Sequence, residues 1–73
     1  MRTLGTLKSG ESGIIRELRP LSPSVRRLAD MGLTRGTKVV VLGSAPLGDP
    51  MILSVRGYRL ALRRRDADAV TIV

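Results

Sequence analysis

The chain has no cysteine, no histidine, no tryptophan and no phenylalanine, and Tyr58 is its single aromatic residue. Without cysteine there can be no disulfide and no thiolate metal site. Without histidine, the commonest metal ligand and the commonest acid–base catalyst are both missing. One tyrosine does not make the stacking platform on which single-stranded nucleic acid is held. No glycine-rich phosphate loop is present. The longest apolar run, Val39 to Leu42, falls far short of the ~20 residues a membrane span requires. Arg2 and Lys8 near the start are not followed by the apolar stretch of a signal peptide. The chain therefore reads as a cytoplasmic protein without direct membrane insertion. Its 73 residues make one domain. A chain of this mass buries about 60% of its unfolded surface, enough for one small core and no deep cleft. These absences argue together against an enzyme.

What the chain does have is positive charge. Thirteen Lys and Arg oppose six Asp and Glu, giving a net charge of +7, and eleven of the thirteen are Arg. Such a balance suits an acidic protein face, nucleic acid or an anionic membrane surface. It also serves simply to keep a small protein in solution.

The pattern of elements is mainly β. Lys8-Ser9-Gly10-Glu11-Ser12-Gly13 has turn chemistry, and Ile14 to Leu18 reads as a strand that Arg19-Pro20-Leu21 interrupts. Ser22-Pro23 is a helix start, with Ser22 as cap and Pro23 at the first helical position. Val25, Leu28, Ala29 and Met31 fall on one helical face, with Arg26, Arg27 and Asp30 on the other. Gly32 stands where a left-handed terminator belongs, and Leu33 can fold back on the apolar face. Thr37 to Ser44 is the strongest strand, apolar on both faces over Val39–Leu42 as a central strand would be. Met51–Arg56 and Tyr58–Arg63 form a hairpin, turned at Arg56-Gly57 or Gly57-Tyr58. Arg63 to Asp68 makes at most one helical turn, and Ala69 to Val73 closes the sheet. About five short strands and one short helix predict a closed or nearly closed β-barrel, because closure removes exposed strand edges.

Two segments are candidates for a partner contact. Arg26, Arg27, Met31 and Leu33 lie on or just beyond the helix. Arg26 and Arg27 read equally as a basic contact and as a solvated helix face. For Met31, Gly32 and Leu33 the structural reading, helix termination, is the stronger. Ala45-Pro46-Leu47-Gly48-Asp49-Pro50 exceeds what a hairpin turn requires. Its prolines lower the entropy lost when a loop is held against a partner. Pro46, Leu47, Gly48, Asp49 and Pro50 thus read either as a docking surface or as a structural bend in which Asp49 accepts backbone N–H bonds. Arg63-Arg64-Arg65 is the densest positive patch and reads first as a solvated strand end, with Asp66 and Asp68 close enough to neutralise part of it. The available carboxylates, Glu11, Glu17, Asp30, Asp49, Asp66 and Asp68, do not form a convincing transition-metal site, so no cofactor and no metal ligand is assigned.

Laid out in order, the motifs resemble the ferrous iron transport protein A (FeoA) family. They begin with Leu4, Leu7 and Gly10, then Arg26-Arg27-Leu28-x-x-Met31-Gly32-Leu33 and Gly36-Thr37-x-Val39. They continue through Ala45-Pro46-x-Gly48-Asp49-Pro50, Val55-x-Gly57 and Leu60-Ala61-Leu62-Arg63, and end with Asp66-Ala67 and Val70-x-Ile72. Asp66 stands where the family usually has Glu. The resemblance implies an SH3-like barrel with a helix inserted after the first strand. It also implies a cytoplasmic accessory of the membrane ferrous iron transporter FeoB, which carries a cytosolic GTPase domain. The alternatives are a small basic barrel that binds nucleic acid and a free-standing relative of the C-terminal domains of metal-dependent repressors. A homo-oligomer is compatible with any of these.

Overall fold

The structure is a computed structural model that describes residues 2–20 and 22–73. Leu21, read above as part of the break after the first long strand, lies outside them. One six-stranded antiparallel sheet is built from β1 (Arg2–Thr3), β2 (Ser12–Leu18), β3 (Lys38–Ser44), β4 (Met51–Val55), β5 (Tyr58–Leu62) and β6 (Val70–Ile72). The spatial order is β1-β6-β2-β3-β4-β5. The fold class is the expected mainly-β SH3-like barrel, with the two-residue β1 joining the strands read from the sequence. Helix α1 (Pro23–Asp30) follows β2, and α2 (Arg64–Ala67) is a single turn between β5 and β6.

The sheet curls because β2 serves both halves. Ser12–Ile14 pair with β3, whereas Ile15–Leu18 pair with β6 across a register shift between Ile15 and Glu17. Such a bulge adds bend and twist at one point of a strand. β3 carries a second shift between Val41 and Gly43. Curling brings the inward side chains of both halves together: Ile15, Val39, Met51, Leu53, Val55 and Val70 are each at most 1% exposed. Leu4 and Leu7 close one end of the core from the 3-10 turn at Leu4–Thr6. Leu28 and Leu33 reach it from α1 and the residues just after it.

Closure is incomplete, and this decides where the site lies. Among the described residues β5 hydrogen-bonds to β4 alone, so it remains a free edge at one end of the sheet. The β4–β5 hairpin turns at Arg56-Gly57, with φ of 48° and 88°. Two successive left-handed residues are what a two-residue turn of the primed type demands. Its unbroken register pairs Val55 with Tyr58, Leu53 with Leu60 and Met51 with Leu62. Leu60 and Leu62 are buried, while Tyr58, expected on the same apolar face, is 41% exposed at the end of the barrel.

Candidate partner-binding site

Helix α1 starts and stops by local rules. The Ser22 hydroxyl accepts a hydrogen bond from the Val25 N–H at 3.3 Å, and Pro23 occupies the first turn. At the other end, the Leu33 N–H donates to the Leu28 carbonyl at 3.0 Å and the Gly32 N–H donates to the Ala29 carbonyl at 3.1 Å. Gly32 has φ +102°. This is the paired 6→1 and 5→2 termination of a Schellman motif. It drives Leu33 into the core at 0% exposure. Leu33 is therefore corrected from a contact residue to a core residue, since a side chain without accessible surface cannot meet a partner. The apolar face of α1 is also narrower than its spacing suggests. Val25 and Leu28 are buried, but Ala29 is exposed, turned toward a hollow between α1 and β2. Met31, the cap residue, is 45% exposed. Arg26 and Arg27 are exposed on the outer face.

The loop after β3 divides in two. Its base is fixed: the Ala45 N–H donates to the Pro50 carbonyl at 3.0 Å and the Gly48 N–H to the Ala45 carbonyl at 2.7 Å. The Asp49–Pro50 peptide bond is cis. The Asp49 carboxylate accepts the Arg64 N–H at 3.0 Å, at the start of α2. The Arg64 guanidinium donates to the Gly48 carbonyl through Nε and to the Gly5 carbonyl through Nη1 at 3.0 Å. Arg64 thereby clips the loop to the 3-10 turn near the N-terminus. It is half-buried, unlike Arg63 and Arg65, which corrects the reading of all three arginines as a solvated strand end. Pro46 and Leu47 project from the fixed base, and Leu47 is 97% exposed.

The curled sheet brings the helix and the loop to opposite sides of β5. A hollow of about 220 Å³ is lined by Arg27 and Leu28 of α1 and by Met31 just after it, together with Ala61, Leu62, Arg63 and Asp66. A second, of about 460 Å³, is lined by Asp49, Pro50, Ala61, Leu62 and Arg63. The two share Ala61, Leu62 and Arg63, so they form one groove along the end of β5. Of the residues singled out from the sequence, Arg27, Met31, Asp49 and Pro50 line it. Arg26, Pro46, Leu47 and Gly48 do not. Sequence reasoning missed Ala61 and Leu62 as site residues, because alternation marks them as an ordinary amphipathic strand.

The groove is strongly positive. Among the described residues, one ion pair is formed, Arg65 Nε to an Asp66 carboxylate oxygen at 3.8 Å. The side chains of Arg27 and Arg63 make no hydrogen bond or ion pair among the described residues. Guanidinium groups, an apolar floor and main-chain groups suit recognition rather than bond-making. No three acidic side chains gather into a metal-binding group among the described residues. Among the described residues no helix is long and apolar enough to cross a membrane.

Comparison with known proteins agrees with the fold. The model of the FeoA domain family matches residues 2–73. The chain is 29% identical over 69 residues to a fusion of Fe(2+) transport protein A and the Fe(2+) transporter FeoB from Porphyromonas gingivalis. That match covers 94% of this chain and 8% of the fusion protein. The solution structure of FeoA from Chlorobium tepidum is 40% identical, with a TM-score of 0.87 over 97% of this chain and 68% of that one. FeoA of Stenotrophomonas maltophilia, crystallised with zinc and described as a prokaryotic SH3 domain protein, is 27% identical with a TM-score of 0.86. It is covered over 91% of its length by the whole of this chain.

Proposed function

The chain belongs to the FeoA family, which is linked to ferrous iron transport, and on that premise we propose that it is a non-enzymatic cytoplasmic accessory of ferrous iron uptake. It binds the cytosolic part of a FeoB-type transporter and modulates uptake, and iron is the cargo of that system rather than a cofactor of this protein.

The observation that carries this reading is the fusion of Fe(2+) transport protein A and the Fe(2+) transporter FeoB in one P. gingivalis chain. Covalent linkage raises the local concentration of one part at the other to about the millimolar level. A separate protein must reach the same place by affinity and encounter rate. The net charge of +7 serves the encounter, because complementary charge speeds association with an acidic face. The barrel holds the groove rigid, so little conformational freedom is lost on docking.

Titration calorimetry with the purified cytosolic part of the transporter tests the proposal. Saturable binding at micromolar concentration and low salt, weakening as salt rises, is expected. Absence of binding under those conditions overturns it. Tighter binding to duplex nucleic acid, with a steep salt slope, also overturns it in favour of a nucleic-acid role.

A further inference from the structure

The free edge of β5 has a chemical consequence. In a two-residue hairpin the residues flanking the turn exchange hydrogen bonds, and the pairs then alternate. Val55–Tyr58, Leu53–Leu60 and Met51–Leu62 are accordingly the bonded pairs, and Arg59 and Ala61 turn their N–H and C=O groups away from β4. Among the described residues no strand lies beyond them. At the turn end, the Arg56 side chain spans from the β4–β5 turn to the residues after α1, donating to the Gly32 carbonyl at 3.4 Å and the Thr37 hydroxyl at 2.8 Å. At the other end α1 and β5 part, and the hollow beside Leu28 and Met31 opens between them at Ala61–Arg63. The main chain of Ala61 therefore faces a groove floored by Leu28 and Leu62, which are 5% and 4% exposed, and rimmed by Arg27, Arg63 and Arg65.

Three properties of the occupant follow. An unpaired N–H and C=O side by side select an extended backbone. The hollow beside Leu28, Met31 and Leu62 suits one apolar side chain. The three arginines, opposed there by Asp66 alone, select carboxylates. The geometry points to the groove between α1 and the free edge of β5 as the binding site for an extended acidic segment of a protein partner that carries one apolar side chain. This inference rests on the reading of the chain as a transporter-binding accessory and names the kind of segment that would be bound.

Two probes and two variants test it on the full chain. The probes are a nonapeptide with one central leucine among glutamates, and the cytosolic part of the transporter. The variants are the double charge reversal Arg27→Glu/Arg63→Glu and, away from the groove, Arg16→Glu/Arg35→Glu. Neither Arg27 nor Arg63 has a side-chain hydrogen bond among the described residues, so the first variant should fold, which a dispersed amide spectrum verifies. Amide shifts on adding the peptide should centre on Met31 and Ala61–Arg63, and replacing the leucine by serine should abolish them. The groove reversal should weaken binding of both probes at least about tenfold while the distant reversal leaves most of it, as expected when charges in contact are reversed. If the transporter part binds the groove variant as well as the wild type, the groove assignment fails while the proposed function stands. If the peptide docks in the groove but the transporter part does not bind, the groove stands and the proposed function fails. Peptide shifts centred elsewhere overturn the inference outright.

Discussion

Replacing Arg64 by alanine should loosen the loop that carries Leu47. The substitution removes two charge-assisted hydrogen bonds, to the carbonyls of Gly48 and Gly5, and leaves the α2 backbone unharmed because alanine is the better helix former. A hydrogen bond to a charged group contributes about 1.5–3 kcal/mol when well buried. Arg64, Gly48 and Gly5 are only half-buried, so water can replace part of each bond. The pair should then be worth about 1–2 kcal/mol in total. In a domain of this size that lowers Tm by about 4–16 °C. Arg63→Ala is the matched control: it removes the same charge one residue away, and a surface change of that kind should stay within about 0.5 kcal/mol. Arg64→Lys should recover less than half the loss, since one ammonium cannot reproduce the spread of guanidinium donors. Thermal unfolding of the three variants, with amide exchange at Ala45 and Gly48 as the local readout, decides the matter. If Arg64→Ala and Arg63→Ala unfold alike and the loop amides stay protected, the clip is refuted.

Leu33→Ala should destabilise by about 2–5 kcal/mol, whereas Met31→Ala should cost under about 1 kcal/mol. Urea denaturation separates the two, and equal effects would contradict the assignment of Leu33 to the core. Gly32→Ala should cost about 1–2 kcal/mol because a left-handed residue would gain a Cβ, one that would also sit 3.0 Å from the Tyr58 hydroxyl. A neutral result in thermal unfolding would argue against that C-terminal geometry. Arg56→Ala leaves the turn residue at positive φ but removes donors to Gly32, Thr34 and Thr37. A loss of about 1 kcal/mol is expected, with amide shifts at Gly32 and Thr37, and unchanged shifts there would contradict the link between hairpin and helix.

The parts of the fold legible in the sequence are those set by neighbours along the chain. Ser22-Pro23 and Gly32-Leu33 bound α1 because capping involves residues within about one turn of each other. Arg56-Gly57 sets the hairpin because its two φ angles are a local demand. The narrower face of α1 was not legible: Ala29 has the right spacing but turns to a hollow against β2, a matter of how the helix tilts on the sheet. Nor was the fate of Arg64, whose partners lie 16 and 59 residues away and leave no periodic signal. Asp49 shows both sides of the problem. Its tendency to accept a backbone N–H could be read from type, but the donor, Arg64, is distant. Likewise, closure could be argued in general from the cost of free strand edges, yet β5 keeps one. That edge, and the meeting of α1 with the loop across it, belong to the curl of the sheet rather than to any one segment.

The proposed role of this FeoA-family chain is to bind the cytosolic part of a ferrous iron transporter. Amide chemical-shift mapping of the isotope-labelled chain during titration with that part tests it most directly. Saturable, salt-sensitive shifts concentrated at Met31 and Ala61–Arg63 are expected. A spectrum that does not change at micromolar concentrations and low salt would contradict it.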